Sequence, residues 1–314
     1  MHRIISTARL AESTVRDSVV WQKRGCDLLN QPNATDLRAA HRLCRRLARS
    51  HYENFLVASL LIPRRYLQHL YNIYAFCRRA DDLADETADP TRALELLHGW
   101  REELLRCYNG TASNPIMMAL QETIRRLDIP VQPFADLISA FEQDCRVVTY
   151  QTFDALVDYC RRSANPVGRL FLWVFGYRDS ERLALSDHIC TALQLTNFWQ
   201  DIPSDYQRGR IYIPLEDIEA FSCNERMLTS WRATPEFVNL LSFQVERTRK
   251  LFESAAELPR MVDRRISVDV ELFRRAGLAV LDEIQAVGYD VLSHRPRLSK
   301  VKKAGLLISC IVHR

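Results

Sequence analysis

Gln194-Leu195-Thr196-Asn197-Phe198-Trp199-Gln200-Asp201-Ile202-Pro203-Ser204-Asp205 sets four polar residues at helical spacing inside an apolar stretch. Gln194, Asn197, Asp201 and Asp205 recur at intervals of three, four and four, so they share one face of a helix. Leu193, Leu195, Phe198, Trp199 and Ile202 take the other faces, which predicts a helix packed on most sides. A carboxamide oxygen and two carboxylates in line make a platform for a hard cation; an ordinary polar helix face is the other reading. Pro203 has no N–H to give to residue 199, so the helix is expected to kink or end there, with Asp205 aimed differently from the rest.

Just downstream, Arg208-Gly209-Arg210-Ile211-Tyr212-Ile213-Pro214 combines a glycine that permits a sharp reversal with two arginines. Those arginines suit a diphosphate, neutralise the acidic line, or form an ordinary basic loop. A second acidic stretch lies far upstream, in Ala80-Asp81-Asp82-Leu83-Ala84-Asp85-Glu86. Asp81 and Asp85 project from one face a turn apart, and like charges at that spacing repel. A divalent cation is the natural compensation. Oxygen-only ligands favour Mg²⁺, which keeps waters and is shared with substrate phosphates. A solvated helix end before Asp89-Pro90 is the plainer alternative. Ile73, Tyr74, Ala75 and Phe76 lead into this stretch and predict a deeply packed helix.

The rest of the chain is helix after helix. Its 314 residues are 47% hydrophobic with only 9 glycines, enough for a sizeable core and poor in turn signals. Helices are expected from Thr35 towards Arg49, from Pro63 through the first acidic stretch, and after Asp89-Pro90. Others are expected over 115–127, 133–150, 152–162, 166–177, 180–201, 235–258 and 265–291, with a loop at 207–214. No repeat or β-hairpin signal is present, so the expected fold is a single all-α bundle. Residues 1–45 read as an extension, partly disordered, ahead of a catalytic domain over 46–303 and a tail over 304–314. The net charge of +4 is scattered and gives no nucleic-acid footprint. Nine cysteines without a C-x-x-C pair and without an apolar leader read as reduced core thiols in a cytoplasmic protein. No apolar run reaches the roughly 20 residues that span a bilayer. The tail Ala304–Val312, beside Lys300, Lys302 and Lys303, is expected to serve either as the last core helix or as a contact with the membrane surface.

Two metal-binding stripes across a bundle can hold Mg²⁺ around a diphosphate and stabilise the charge that builds as an allylic C–O bond breaks. Aromatic residues near both stripes, among them Tyr74, Phe76, Phe198 and Trp199, suit a carbocation kept from bulk water. Both motifs, in this order and followed by the Arg-x-Tyr-x-Pro run, resemble the squalene/phytoene synthase family over roughly residues 50–303. The most specific pieces are Tyr74–Asp85 and Gln194–Pro214.

The resemblance implies an isoprenoid synthase helical bundle with a central active-site cavity. It implies Mg²⁺ on Asp81, Asp85, Asn197, Asp201 and Asp205, and an isoprenoid diphosphate as substrate. Tyr74, Arg78 and Gln194 match positions lining the family's diphosphate site, and Tyr159 matches a tyrosine close to the reacting centre. Arg295 and Lys303 fall where the family places basic diphosphate contacts, and Arg210 belongs to the basic loop. The opening His51-Tyr52-Glu53-Asn54-Phe55 and the step Asn165-Pro166 are similar to the hydroxysqualene synthase branch of the hopanoid pathway, whose other enzymes would be partners. His51 and Glu53 are then candidates for positioning a water. Squalene-forming members often carry a tyrosine where this chain has Gly277. The implied reaction takes presqualene diphosphate and water to hydroxysqualene without a nicotinamide cofactor. A condensing synthase acting on two prenyl diphosphates is the alternative, and a non-catalytic assembly protein of the same fold is the alternative of another class.

Overall fold

The computed structural model describes residues 34–50, 62–87, 89–224 and 232–312. Fourteen helices appear among them: α1 (Ala34–Ser50), α2 (Arg64–Asp85), α3 (Pro90–Tyr108), α4 (Pro115–Leu127), α5 (Gln132–Asp144), α6 (Phe153–Ser163) and α7 (Asn165–Val174). They continue as α8 (Ser180–Gln200), α9 (Ile202–Gln207), α10 (Leu215–Ala220), α11 (Pro235–Ser254), α12 (Leu258–Met261), α13 (Arg264–Ala286) and α14 (Lys300–Val312). The all-α expectation holds, and the observed bounds follow local chemistry. Asp89, Asn114, Thr152, Asp179, Thr234 and Asp263 each accept a backbone N–H at a helix start. Pro90, Pro115 and Pro235 occupy first-turn positions, where the missing N–H costs nothing.

Two clusters of buried side chains fill the interior. One gathers α1 to α5 around Phe76, Trp100, Met117 and Phe134; the other gathers α6, α8, α11 and α13 around Tyr159, Phe198, Trp199, Phe237 and Phe252. Phe171 and Phe175 touch both, so α7 is the seam between them. α2 runs through the first cluster with Leu70 to Arg78 buried without interruption, as the apolar approach to its acidic end predicted. Its one buried amide is satisfied on both ends. Asn72 donates to the Ala119 carbonyl and to Thr123 Oγ1, each at 2.9 Å, and accepts from Gln68 Nε2 at 2.8 Å.

Three expectations change. The helix expected over 133–150 stops at Asp144, because the segment after it pairs with a distant one. Ile211 N–H donates to the Val148 carbonyl at 2.7 Å, Leu215 N–H to Tyr150 at 2.9 Å and Glu216 N–H to Gln151 at 3.0 Å. The boundary expected at residue 45 falls inside α1, whose Ala40, Cys44 and Ala48 are buried in the first cluster. The boundary expected after 303 falls inside α14, which packs Leu306, Leu307 and Cys310 on Val268 and Leu272 of α13. Eight cysteines lie among the described residues, all as free thiols. Burial pushes those of Cys44, Cys107 and Cys190 up to about 12, which keeps them protonated and inert. No described helix is long and apolar enough to cross a membrane.

Candidate active site

The second polar line is built as its sequence requires. α8 ends at Gln200, Asp201 stands between helices, and Pro203 enters the first turn of α9. Gln194 and Asn197 therefore sit on α8 and Asp205 on the next short helix. The chain stays continuous, because Asp201 N–H donates to the Asn197 carbonyl and Asp205 N–H to the Asp201 carbonyl, both at 2.9 Å. Gln194, Asp201 and Asp205 are buried, Asn197 half-buried. Asp201 is gripped by Arg295, whose Nε and Nη2 donate to its two carboxylate oxygens at 2.6 and 2.9 Å. The segment carrying Arg295 is held to α8 by a hydrogen bond from Gln200 Nε2 to the Pro296 carbonyl.

The first stripe has its own cations. Arg78, one turn before Asp81 and Asp82, places Nη2 2.6 Å from Asp82 and Nη1 3.7 Å from Asp81. Burial raises the Asp82 carboxyl to about 6, against the pull of Arg78. Asp85 at the helix end meets Arg210 at 3.4 Å. That contact depends on the turn after α9. Gly209 adopts φ +73°, Arg210 N–H returns to the Asp205 carbonyl, and the paired loops 148–151 and 211–216 then hold Arg210 over α5. Arg210 also donates to the Asp144 carbonyl at 3.4 Å. One arginine thus joins the segment after the second stripe to the end of the first. Burial opposes its charge, but Tyr212, Asp144 and Asp85 outweigh that and raise its pKa.

Asp144, on no sequence-based list of candidates, completes this centre. It is half-buried at the end of α5 with its carboxyl turned inward, where burial pushes that carboxyl's pKa up and Arg210 pulls it back. Tyr159 donates its phenol to Asp144 Oδ2 at 2.9 Å. Burial, reinforced by Asp144, raises the Tyr159 pKa well above that of an ordinary phenol, so this hydroxyl stays neutral and donating. Around it lie Tyr150, Tyr212 and Phe198, with ring centroids 5.5, 6.2 and 6.3 Å away; Phe198 and Tyr212 stack at 4.0 Å and 7°. A narrow, open cleft lies beside this stack. Phe198, Ile202, Ile211, Tyr212 and Ile213 give it apolar walls, and Asp205 and Arg210 stand at its polar side. Beside it, arginines lie across the carboxylates of both stripes.

Tyr74 is buried on α2 one turn before Arg78, and burial raises its phenol pKa. Lys303 is exposed in the first turn of α14 and is not among the cations on the carboxylates. His51 and Glu53 lie outside the described residues. The donor set fits a hard divalent ion. It is all oxygen, each stripe already carries guanidinium groups in a cation's place, and the buried Gln194 Oε1 has no hydrogen-bond partner among the described residues. No three carboxylate, imidazole or thiol side chains among them close a metal cage on their own.

The model of the squalene/phytoene synthase family matches residues 48–302. The chain belongs to that family. It is 32% identical to the phytoene synthase of Arthrospira platensis over 285 residues, covering 84% of this chain and 90% of that one. It is 33% identical to the hydroxysqualene synthase of Zymomonas mobilis over 260 residues, covering 81% and 85%. The crystal structure of squalene synthase HpnC from Alicyclobacillus acidocaldarius superposes with a TM-score of 0.77 at 44% identity, covering 81% of this chain and 96% of that one. The helical fold and an isoprenoid diphosphate substrate are thereby those of the squalene/phytoene synthases.

Proposed function

We propose that this protein converts presqualene diphosphate and water to hydroxysqualene and diphosphate. The aromatic-walled cleft beside two acidic stripes supports ionisation of an isoprenoid diphosphate. The choice of this reaction is supported by the 33% identity to a hydroxysqualene synthase, and the 44% identity to squalene synthase HpnC supports the squalene side of the family over the phytoene side. Asp81 and Asp85 on one stripe, and Asn197, Asp201 and Asp205 on the other, would hold Mg²⁺. Bound there, it would supply charge neutralisation for the departing diphosphate.

The chain's own residues do the rest. Arg78, Arg210 and Arg295 are within reach of the carboxylates and turn to the phosphate oxygens, with Gln194, Tyr74 and Lys303 as further polar contacts. As the C–O bond breaks, its electron pair leaves with diphosphate. The cyclopropylcarbinyl cation left behind rearranges beside the faces of Phe198, Tyr212 and Tyr159. Asp144 fixes the Tyr159 phenol, so the ring cannot turn away from that stack. Water then forms a C–O bond to the cation, and its extra proton passes to the released diphosphate. Asn165, at the branch-like step, accepts from Thr191 Oγ1 at 2.9 Å and ties the start of α7 to the helix of the second stripe.

Product analysis tests this directly. The protein, with Mg²⁺ and presqualene diphosphate alone, is expected to yield hydroxysqualene; with farnesyl diphosphate alone it is expected to yield nothing. The likeness to phytoene synthases supports the condensing alternative, and consumption of farnesyl diphosphate would establish it instead. His51 and Glu53 are assigned to positioning the water. A His51→Ala, Glu53→Ala double variant is expected to lower hydroxysqualene output by about 10²-fold while still releasing diphosphate. Unchanged output from that variant would remove both residues from the mechanism.

A further inference from the structure

α14 is apolar on two opposite sides. At 100° per residue, Leu306, Leu307 and Cys310 fall on the side packed against α13. Val301, Ala304, Gly305, Ile308, Ile311 and Val312 fall together on the other side. That side is open: Val301 is 82% exposed, Ile308 61%, Ile311 44% and Val312 69%. A helix apolar all round is ordinarily buried all round, so the open stripe calls for a covering partner.

Charge decides which partner. Lys300, Lys302 and Lys303 stand in the first turn, three of the chain's five lysines, and no acidic residue lies between Lys300 and Val312. By the same angular count, Lys300 and Lys302 flank the stripe on either side. Lys302 also pairs with Glu283 of α13. A second copy docking on this face would offer the lysines no anionic partner, since α14 carries no acidic residue. An anionic lipid surface satisfies both features: the apolar stripe enters the headgroup boundary while the lysine stems reach outward to lipid phosphates.

We infer that α14 docks this protein on anionic membrane surfaces through the Val301–Ile308–Val312 stripe and its flanking lysines. The inference goes beyond the proposed reaction and stands without it. It also places the docking helix shortly after Arg295, the residue that holds Asp201, so the contact would bring the acidic centre close to the phase in which long isoprenoid chains dissolve.

The test is flotation of the full chain with vesicles of phosphatidylcholine alone or mixed with phosphatidylglycerol, at low and high salt. The expected result is binding to the mixed vesicles that weakens as salt rises. An Ile308→Glu, Val312→Glu variant alters only open positions, and unchanged circular dichroism would confirm its fold; its binding should fall more than about tenfold. Lys300→Glu should weaken binding by at least about fivefold. Three outcomes would overturn the inference. These are no binding of the wild-type chain to the mixed vesicles, equal binding by the double glutamate variant, or a dimer in sedimentation that this variant splits.

Discussion

Asp201→Asn is expected to leave a folded protein whose turnover of its isoprenoid diphosphate falls by about 10³-fold or more. The substitution keeps the size of the side chain and both backbone hydrogen bonds across the α8–α9 junction, from Asp201 to Asn197 and from Asp205 to Asp201. It removes the charge that meets Arg295 through two hydrogen bonds. Arg295 is a third exposed and can turn to water, so the loss in stability should be modest, about 1–2 kcal/mol. Catalysis has no such outlet. Asp201 is the middle member of the line from Asn197 to Asp205, and a neutral amide there weakens the hold on any cation shared with the diphosphate. The loss should appear in kcat as well as KM, since the missing charge matters most while negative charge builds on the leaving group. Thermal unfolding and steady-state kinetics on the same preparation separate the two effects. Near-normal turnover in a folded variant would show that the second stripe is not where the cation sits.

The contrast between Asp201 and its surroundings shows what a sequence can carry. Spacing of three and four residues makes the polar line legible, and Pro203 locates the break, because both are local facts of helix geometry. The unbroken burial of α2 follows from its apolar run for the same reason. The partners of these residues were not legible. Arg295 meets Asp201 across 94 positions and Arg210 meets Asp85 across 125. The repulsion between Asp81 and Asp85 predicted a compensating cation but could not show that arginines of the chain supply part of it. Asp144 was missed for a related reason. It stands inside a helix expected to run on to residue 150 that in fact stops at Asp144, and the stop is made by pairing with residues 211–216. In sequence, Phe141-Glu142-Gln143-Asp144 is an ordinary polar turn of that helix; only the buried carboxyl and the Tyr159 hydroxyl single out Asp144. Local rules reach the stripes, and tertiary contacts decide how they are neutralised.

Gly277→Tyr is expected to destabilise the protein by more than about 3 kcal/mol, enough to abolish soluble expression in a marginally stable background. Even a β-carbon at Gly277 would lie 2.2 Å from Phe252 Cζ and under 3.0 Å from both Phe252 Cε atoms. Phe252 is fully buried between α11 and α13, so its ring cannot swing into solvent to make room. Gly277→Ala should therefore cost about 1–3 kcal/mol despite the better helix propensity of alanine, which returns only about 1 kcal/mol. The decisive measurement is a double-mutant cycle by chemical denaturation. Phe252→Ala alone should cost about 3–5 kcal/mol through its cavity, yet combined with Gly277→Tyr the two losses should be far from additive, because the new ring occupies the volume vacated by the old one. Additive losses would mean that the close approach of Phe252 to Gly277 does not exist in solution, as would a Gly277→Tyr variant as stable as the wild type. The consequence reaches function. The resemblance sets a tyrosine of squalene-forming members against Gly277, and here an aromatic ring from the neighbouring helix already fills the space. A single substitution therefore cannot introduce that tyrosine without unpacking α11 from α13; its effect on product can be read only in the Phe252→Ala background.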